Sequence, residues 1–432
     1  MEHNGIAHIA YGKSRIPLRM DENLARWHVI TPDSEPPLLE PKILFKEACR
    51  NPIASAPLRE LIKPNDRVVI VTSDGTRPVP NRKLIAWILE ELPVPLQNVT
   101  VMLGTGTHRP NTHKEIEQMF GIDLVQSVKI VNHNAFDTET NKKIATSSTG
   151  ADMVVDRAYL EADKRIVVGF IEPHFFAGFS GGAKGIIPGV AGIDTILHLH
   201  NYELIGHPKS TYGVLDGNPI HEEIAEMVAH CPPDFMVNVT LNPDKEITGF
   251  FVGDYRIAHR QGCDEVKSKS MAPVENKFPI VVTSNSGFPL DQNLYQTVKG
   301  ISAAARIVEE GGVIFVVSEC SDGIPAHGNF GSLLNKGKSP AEIIESIRSL
   351  EKPVLDQWQA QILATIMEQS GVEIFSALDP ESISLCPLHE IEDLQCLLYD
   401  RIQSFGRRID VAVLPDGPLT IPYVATPHSI SA

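Results

Sequence analysis

The chain has 432 residues, more than one hydrophobic core usually serves, so at least two domains are expected. With 42% hydrophobic and 21% charged residues it falls among ordinary globular proteins, and a formal charge of −16 with no basic patch argues against nucleic acid or an anionic membrane as partner. The six cysteines form no C-x-x-C, no run of about 18 apolar residues occurs, and the first twenty residues carry no apolar leader stretch, so a reducing cytoplasm is the expected setting.

In chain order, the β-branched run Val68 to Val71, the helical pattern Lys83 to Leu89 and the run Val99 to Leu103 give the strand–helix–strand cadence of a parallel α/β domain. The runs at Lys129 to Val131, Met153 to Val155 and Arg165 to Val168 are expected to extend the same sheet. The polar stretch Glu265 to Lys277 reads as a linker. A second α/β unit opens at Phe278 to Thr283 and continues through Val313 to Val317, a helix start at Ser339-Pro340 and the run Val372 to Phe375. The last apolar run, Ile409 to Leu414, is expected to return to the first domain. The fold class is therefore α/β: two α/β domains with a cleft between them, residues 1–268 joined by 408–432, and residues 272–406.

Four polar clusters follow expected strands, where open α/β sheets place ligands. Ser73-Asp74-Gly75-Thr76-Arg77-Pro78 offers small hydroxyls and a guanidinium suited to anions, and reads equally as a capped turn. Gly104-Thr105-Gly106-Thr107-His108-Arg109-Pro110 places a histidine at a glycine-lined tip, suited to acid/base work if it is more than an exposed loop residue. The segment Glu172 to Gly189 is dense in glycine around Lys184, yet the spacing of Gly178 and Gly185 is not that of a P-loop, which disfavours an NTPase. His198 and His200 lie two apart, which one helical face cannot use but an extended segment can. With His108 and His174 they supply enough imidazole for a transition metal, while the other twelve histidines show no ligand spacing.

Taken together, S-D-G-T-R, G-T-H-R-P, P-H-F-F-A-G-F-S-G-G-A-K and P-L-D-Q-N-L-Y-Q-T-V-K-G resemble the motif set of the lactate racemase family, over about Gly5 to Val424. The resemblance implies an isomerase that inverts C2 of a small, lactate-like 2-hydroxy acid by reversible hydride transfer through a 2-keto acid. Its cofactor would be a nickel-pincer nucleotide, a nickel(II) pyridinium mononucleotide with thioamide and thiocarboxylate arms, tethered to Lys184 and made by dedicated cofactor-assembly enzymes. His200 resembles the protein ligand to the metal, with His198 as the weaker choice, and His108 and His174 resemble the opposed acid/base pair. Ser73, Asp74, Thr76, Gly178, Ser180, Gly181, Gly182 and Gly185 match cofactor-binding positions; Arg77, Tyr295, Gln296, Lys299 and Trp358 match substrate-binding ones. The N-terminal domain would bind the cofactor and the C-terminal domain close over the active site.

The chemistry explains the parts. A carboxylate beside Cα–H makes a carbanion unfavourable, so a hydride acceptor is needed, with a base within hydrogen-bond reach of the hydroxyl. Three other readings stay open: a family member acting on a larger acid such as malate, phenyllactate or an aldonate; a non-catalytic carrier of a metal cofactor; and a metal hydrolase, in which Lys184 has no task.

Overall fold

The computed structural model describes residues 5–31, 35–326, 328–336, 339–384 and 386–425. The chain divides into two compact units, one drawn from residues 34–199 and 207–268, the other from 1–33, 200–206 and 269–432. Among the described residues no helix is long and apolar enough to cross a membrane.

The first unit is built on a six-stranded sheet in the order Ile247–Gly253, Phe235–Leu241, Lys164–Phe170, Val68–Ser73, Val99–Gly104, Lys129–Asn132. Every pairing is parallel except that of the first two strands. The run VVIVT is buried throughout because both faces of the sheet are covered, so its side chains have no solvent side to alternate with. Helix Asn81–Glu91 packs Leu84, Ile85 and Ile88 on one face, against Ile70, Val101 and Val237. From Val68–Ser73 the chain steps outward to Val99–Gly104 and Lys129–Asn132, then crosses to Lys164–Phe170 on the other side. That reversal makes a switch point, and the loops leaving these central strands converge at it.

The second unit holds a six-stranded, all-parallel sheet in the order His389–Glu390, Gly371–Phe375, Val308–Val317, Phe278–Ser284, Ile409–Leu414, Ala25–Val29. Successive residues of the central strand feed opposite cores: Val281 meets Val298, Ile301 and Leu363, while Ile280 and Val282 meet Ile9, Leu18 and Leu398. Ser339 caps helix Pro340–Arg348, accepting the Glu342 N–H at 3.3 Å with proline in the first turn, as its sequence foretold.

Three expectations are corrected. Ile409–Leu414 does not join the sheet of the first unit: it pairs with Phe278–Ser284 and Ala25–Val29, so the N-terminal strand is also part of the second unit, and residues 426–432 of the expected returning segment lie outside the described residues. A largely apolar, buried strand needs neighbours on both sides, and here the free edge beside Phe278–Ser284 supplies one. Asp152–Asp156 leaves the main sheet to form an antiparallel pair with Asn141–Thr146, with the Val154 N–H taken by Thr195 Oγ1 at 2.9 Å. The expected linker is no linker: helix Ile257–Ser270 runs into it, and Met271–Val274 pairs with Ile421–Val424.

Candidate active site

Asp74 leaves the Val68–Ser73 strand into a buried position, 3% exposed, just beyond the half-buried Ser73. Its Oδ1 accepts Thr76 Oγ1–H at 2.6 Å, and its Oδ2 meets His108 Nδ1 at 2.8 Å. Burial would raise the Asp74 carboxyl, but the hydrogen bond and charge of His108, the Thr76 hydroxyl and the Arg77 guanidinium outweigh it and hold the group below its ordinary value. Asp74 is therefore a carboxylate at neutral pH. His108 sits on the adjacent loop, its N–H on the Thr105 carbonyl at 2.9 Å, while the turn itself is pinned by Gly106 N–H on the Gly189 carbonyl at 3.0 Å. Arg109 is engaged elsewhere, in an ion pair with Glu115 that belongs to the capping box of helix His113–Phe120.

The loop after Lys164–Phe170 makes a short hairpin, Pro173–His174 against Gly178–Phe179. His174 Nδ1 accepts the Ala177 N–H at 3.3 Å, which places the proton of the neutral ring on Nε2, and its ring packs on Phe175 and Phe176 at 5.0 and 4.5 Å. Gly178 takes φ +78°, and a Cβ there would lie 2.2 Å from the Val214 carbonyl oxygen. Ser180 Oγ donates to the Phe170 carbonyl and accepts the Glu172 N–H, both at 2.9 Å, so its hydroxyl ties the loop to the strand. Lys184 rides on the single turn Gly182–Gly185; Gly185 is needed because a Cβ would meet Val167 Cγ2 at 2.6 Å. Burial pulls the Lys184 ammonium down to about 8, Arg77 repels it further and Glu172 opposes the shift. The loops of three strands thus bring Asp74, Arg77, His108 and Lys184 to one end of one sheet.

His200, Tyr295, Gln296, Lys299 and Trp358 lie in the second unit, and His198 in the first. His200 is buried and its ring centre lies 4.4 Å from that of Trp358 at 47°. Trp358 Nε1 donates to Tyr295 Oη at 3.1 Å, and Gln357 Nε2 donates to the His200 carbonyl at 3.4 Å. On helix Leu294–Ala305, capped by Asn293, Lys299 Nζ donates to Gln296 Oε1 at 2.7 Å, one turn apart. His198 is committed otherwise: its Nε2 contacts Glu223 Oε1 at 2.8 Å and Thr149 Oγ1 at 3.1 Å. Among the described residues no group of three or more His, Cys, Asp or Glu gathers to hold a metal.

Sequence reasoning missed Glu172 beside Lys184, and Asn238 and His259 behind the glycine turn. Asn238 left a signal, an amide within the otherwise apolar FMVNV, since a buried amide needs partners. His259 left none, because only the fold brings residue 259 to residue 180.

Comparison with known proteins fits this arrangement. Residues 11–213 match the lactate racemase N-terminal domain and residues 274–421 the lactate racemase C-terminal domain. The lactate racemase of Lactiplantibacillus plantarum is 36% identical over 414 residues, covering 95% of this chain and 97% of its own. That of Thermoanaerobacterium thermosaccharolyticum is 36% identical over 367 residues, 83% of this chain and 85% of its own. The structure of the lactate racemase apoprotein from T. thermosaccharolyticum superposes with a TM-score of 0.89 at 33% identity, over 96% of this chain and 99% of that one. A Thermotoga maritima protein shares the fold at TM-score 0.67 and 16% identity, over 91% of this chain and all of its own. With both domains matched in order and relatives spanning nearly its whole length, the chain belongs to the lactate racemase family and is an isomerase.

Proposed function

We propose that the protein interconverts the enantiomers of lactate, using a nickel-pincer nucleotide attached to Lys184. The observation that carries this reading is the Asp74–His108 pair at the same sheet end as Lys184 and Arg77: an oriented base, an anchoring cation and an amine of lowered basicity. The residues fit the cofactor. An amine with a pKa of about 8 is neutral in part near neutrality and can act as a nucleophile. His200 supplies a single imidazole, and among the described residues no group of three or more His, Cys, Asp or Glu gathers to hold a metal, which suits one that brings most of its own donors. The Ser73–Thr76 and Gly178–Gly185 loops are assigned to the nucleotide.

When bound, the group supplies a reversible acceptor for the substrate's α-hydrogen as hydride. The protein does the rest. Arg77 binds the carboxylate by charge-assisted hydrogen bonds. His108, its Nδ1 held by Asp74, uses Nε2 to take the hydroxyl proton of one enantiomer, and the Asp74 carboxylate stabilises the imidazolium so formed. His174 is assigned as its counterpart: as imidazolium it delivers a proton to the oxygen of the keto form on the path to the other enantiomer and returns to the neutral ring. Tyr295, Gln296, Lys299 and Trp358 are assigned to substrate binding, and the free thiols of all six cysteines suit a reducing cytoplasm.

The test is chiral analysis of protein produced with the cofactor-assembly enzymes and fed each enantiomer of lactate. Racemisation from both sides, with a primary isotope effect for the 2-deuterated acid, is expected. An adduct-bearing protein that leaves lactate untouched but racemises malate, phenyllactate or an aldonate would replace the substrate reading. One that acts on none would return the carrier reading.

A further inference from the structure

The turn that carries Lys184 is tied to two buried side chains that the racemisation chemistry does not use. Asn238, fully buried on strand Phe235–Leu241, accepts the Gly182 N–H on Oδ1 at 2.8 Å and donates from Nδ2 to the Val237 carbonyl at 3.0 Å. His259, on helix Ile257–Ser270, meets the Ser180 carbonyl with Nε2 at 2.8 Å. Burial lowers its pKa to about 4, so it is a neutral ring whose proton is on Nε2, and it donates that bond. The same two groups occupy the space in which the glycines lack side chains. A Cβ on Gly181 would lie 2.5 Å from Asn238 Oδ1, and one on Gly182 would lie 2.6 Å from the His259 ring, with φ at +79° and +54°. The Lys184 N–H in turn donates to the Gly181 carbonyl at 3.1 Å.

We propose that Asn238 and His259 are positioning residues for Lys184, bracing the 180–184 turn so that the amine is held in one sheltered place; this rests on Lys184 being the point of cofactor attachment. A single turn with two left-handed glycines has little stability of its own, since glycine loses the most conformational freedom on ordering. Two buried hydrogen bonds, one on the Ser180 carbonyl and one on the Gly182 N–H, supply what the turn lacks. The groups acting on the amine are Arg77 and Glu172, and His221 and Ile224 line with His259 and the half-buried Lys184 a small cavity. Loosening either brace admits water to that cavity and restores the basicity of an ordinary lysine.

The test reads the cofactor-free protein. Acylation of Lys184 by an N-hydroxysuccinimide ester is followed by peptide mass spectrometry across pH, with exposed Lys83 as internal reference. Asn238→Leu and His259→Leu are expected to move the midpoint upward and slow labelling at pH 8 by about tenfold or more, as the neutral fraction falls. His259→Gln, which keeps an N–H donor, is expected to recover most of the rate. Folded leucine variants that label like the parent overturn the proposal. If neither leucine variant folds, amide exchange in the parent decides: a Gly182 N–H as protected as the amides of the neighbouring strands supports the brace, and one that exchanges like an open loop overturns it. Failure of the attachment reading looks different, as an unmodified Lys184 in parent protein made with the assembly enzymes.

Discussion

Asp74 Oδ2 and His108 Nδ1 lie 2.8 Å apart, the carboxylate side chain 4% exposed and the imidazole side chain 47% exposed. A buried anion thus orients a ring whose other nitrogen reaches open space, which is how a base is held ready without being used up in the fold. Asp74→Asn keeps the shape and loses the charge. Turnover is expected to fall on the order of a hundredfold with little change in KM, measured by steady-state racemisation from each enantiomer. The same pair sets an acid limit. Because the folded Asp74 pKa lies below its ordinary 3.8, its contribution to stability is present above that value and is lost as pH falls through the folded one. The stability gap between parent and Asp74→Asn is therefore expected to be widest near neutrality and to close in acid; a gap that widens in acid contradicts the sign.

His108→Ala and His174→Ala are expected to lower turnover in both directions by roughly two to four orders of magnitude while leaving nickel content unchanged. Metal analysis on each purified variant checks the second half. Loss of nickel in either one would make that histidine a ligand.

Lys184 titrates at about 8 in the cofactor-free protein. Being a lowered lysine, it is mostly charged at pH 7 and mostly neutral at pH 9, so labelling by an amine reagent rises through pH 8. At that pH it should outpace an ordinary lysine about a hundredfold by neutral fraction alone. Lys184→Ala should fold as the parent does and show no adduct in intact mass.

Trp358→Phe removes the N–H that Tyr295 Oη accepts and thins the ring contact with His200. The expected cost is about 1 to 2 kcal/mol in denaturant unfolding, with a drop in nickel retained on dialysis. Unchanged nickel retention would detach Trp358 from the support of His200.

Gly178→Ala puts a Cβ against the Val214 carbonyl oxygen at a left-handed φ. Both penalties act on the loop bearing His174, so a loss of about 2 kcal/mol or more in stability is expected, together with lower turnover.

The sequence by itself determined the α/β class, the strands over Val68 to Val71, Val99 to Leu103 and Arg165 to Val168, and the polar clusters with Asp74, Arg77, His108 and Lys184 that follow them, because buried parallel strands are continuous apolar runs and the ligand loops follow them directly. The four motifs also marked the family. It could not say where Ile409–Leu414 would pair, since a largely apolar strand fits the interior of either sheet equally well. The resemblance favoured His200 over His198, but the residues alone did not show what each meets: one is taken by Glu223 and the other lies against Trp358, and both partners are distant in sequence. Asn238 and His259 meet the lysine turn only through contacts 56 and 79 residues apart in the chain, which no local pattern encodes and which tertiary packing alone decided.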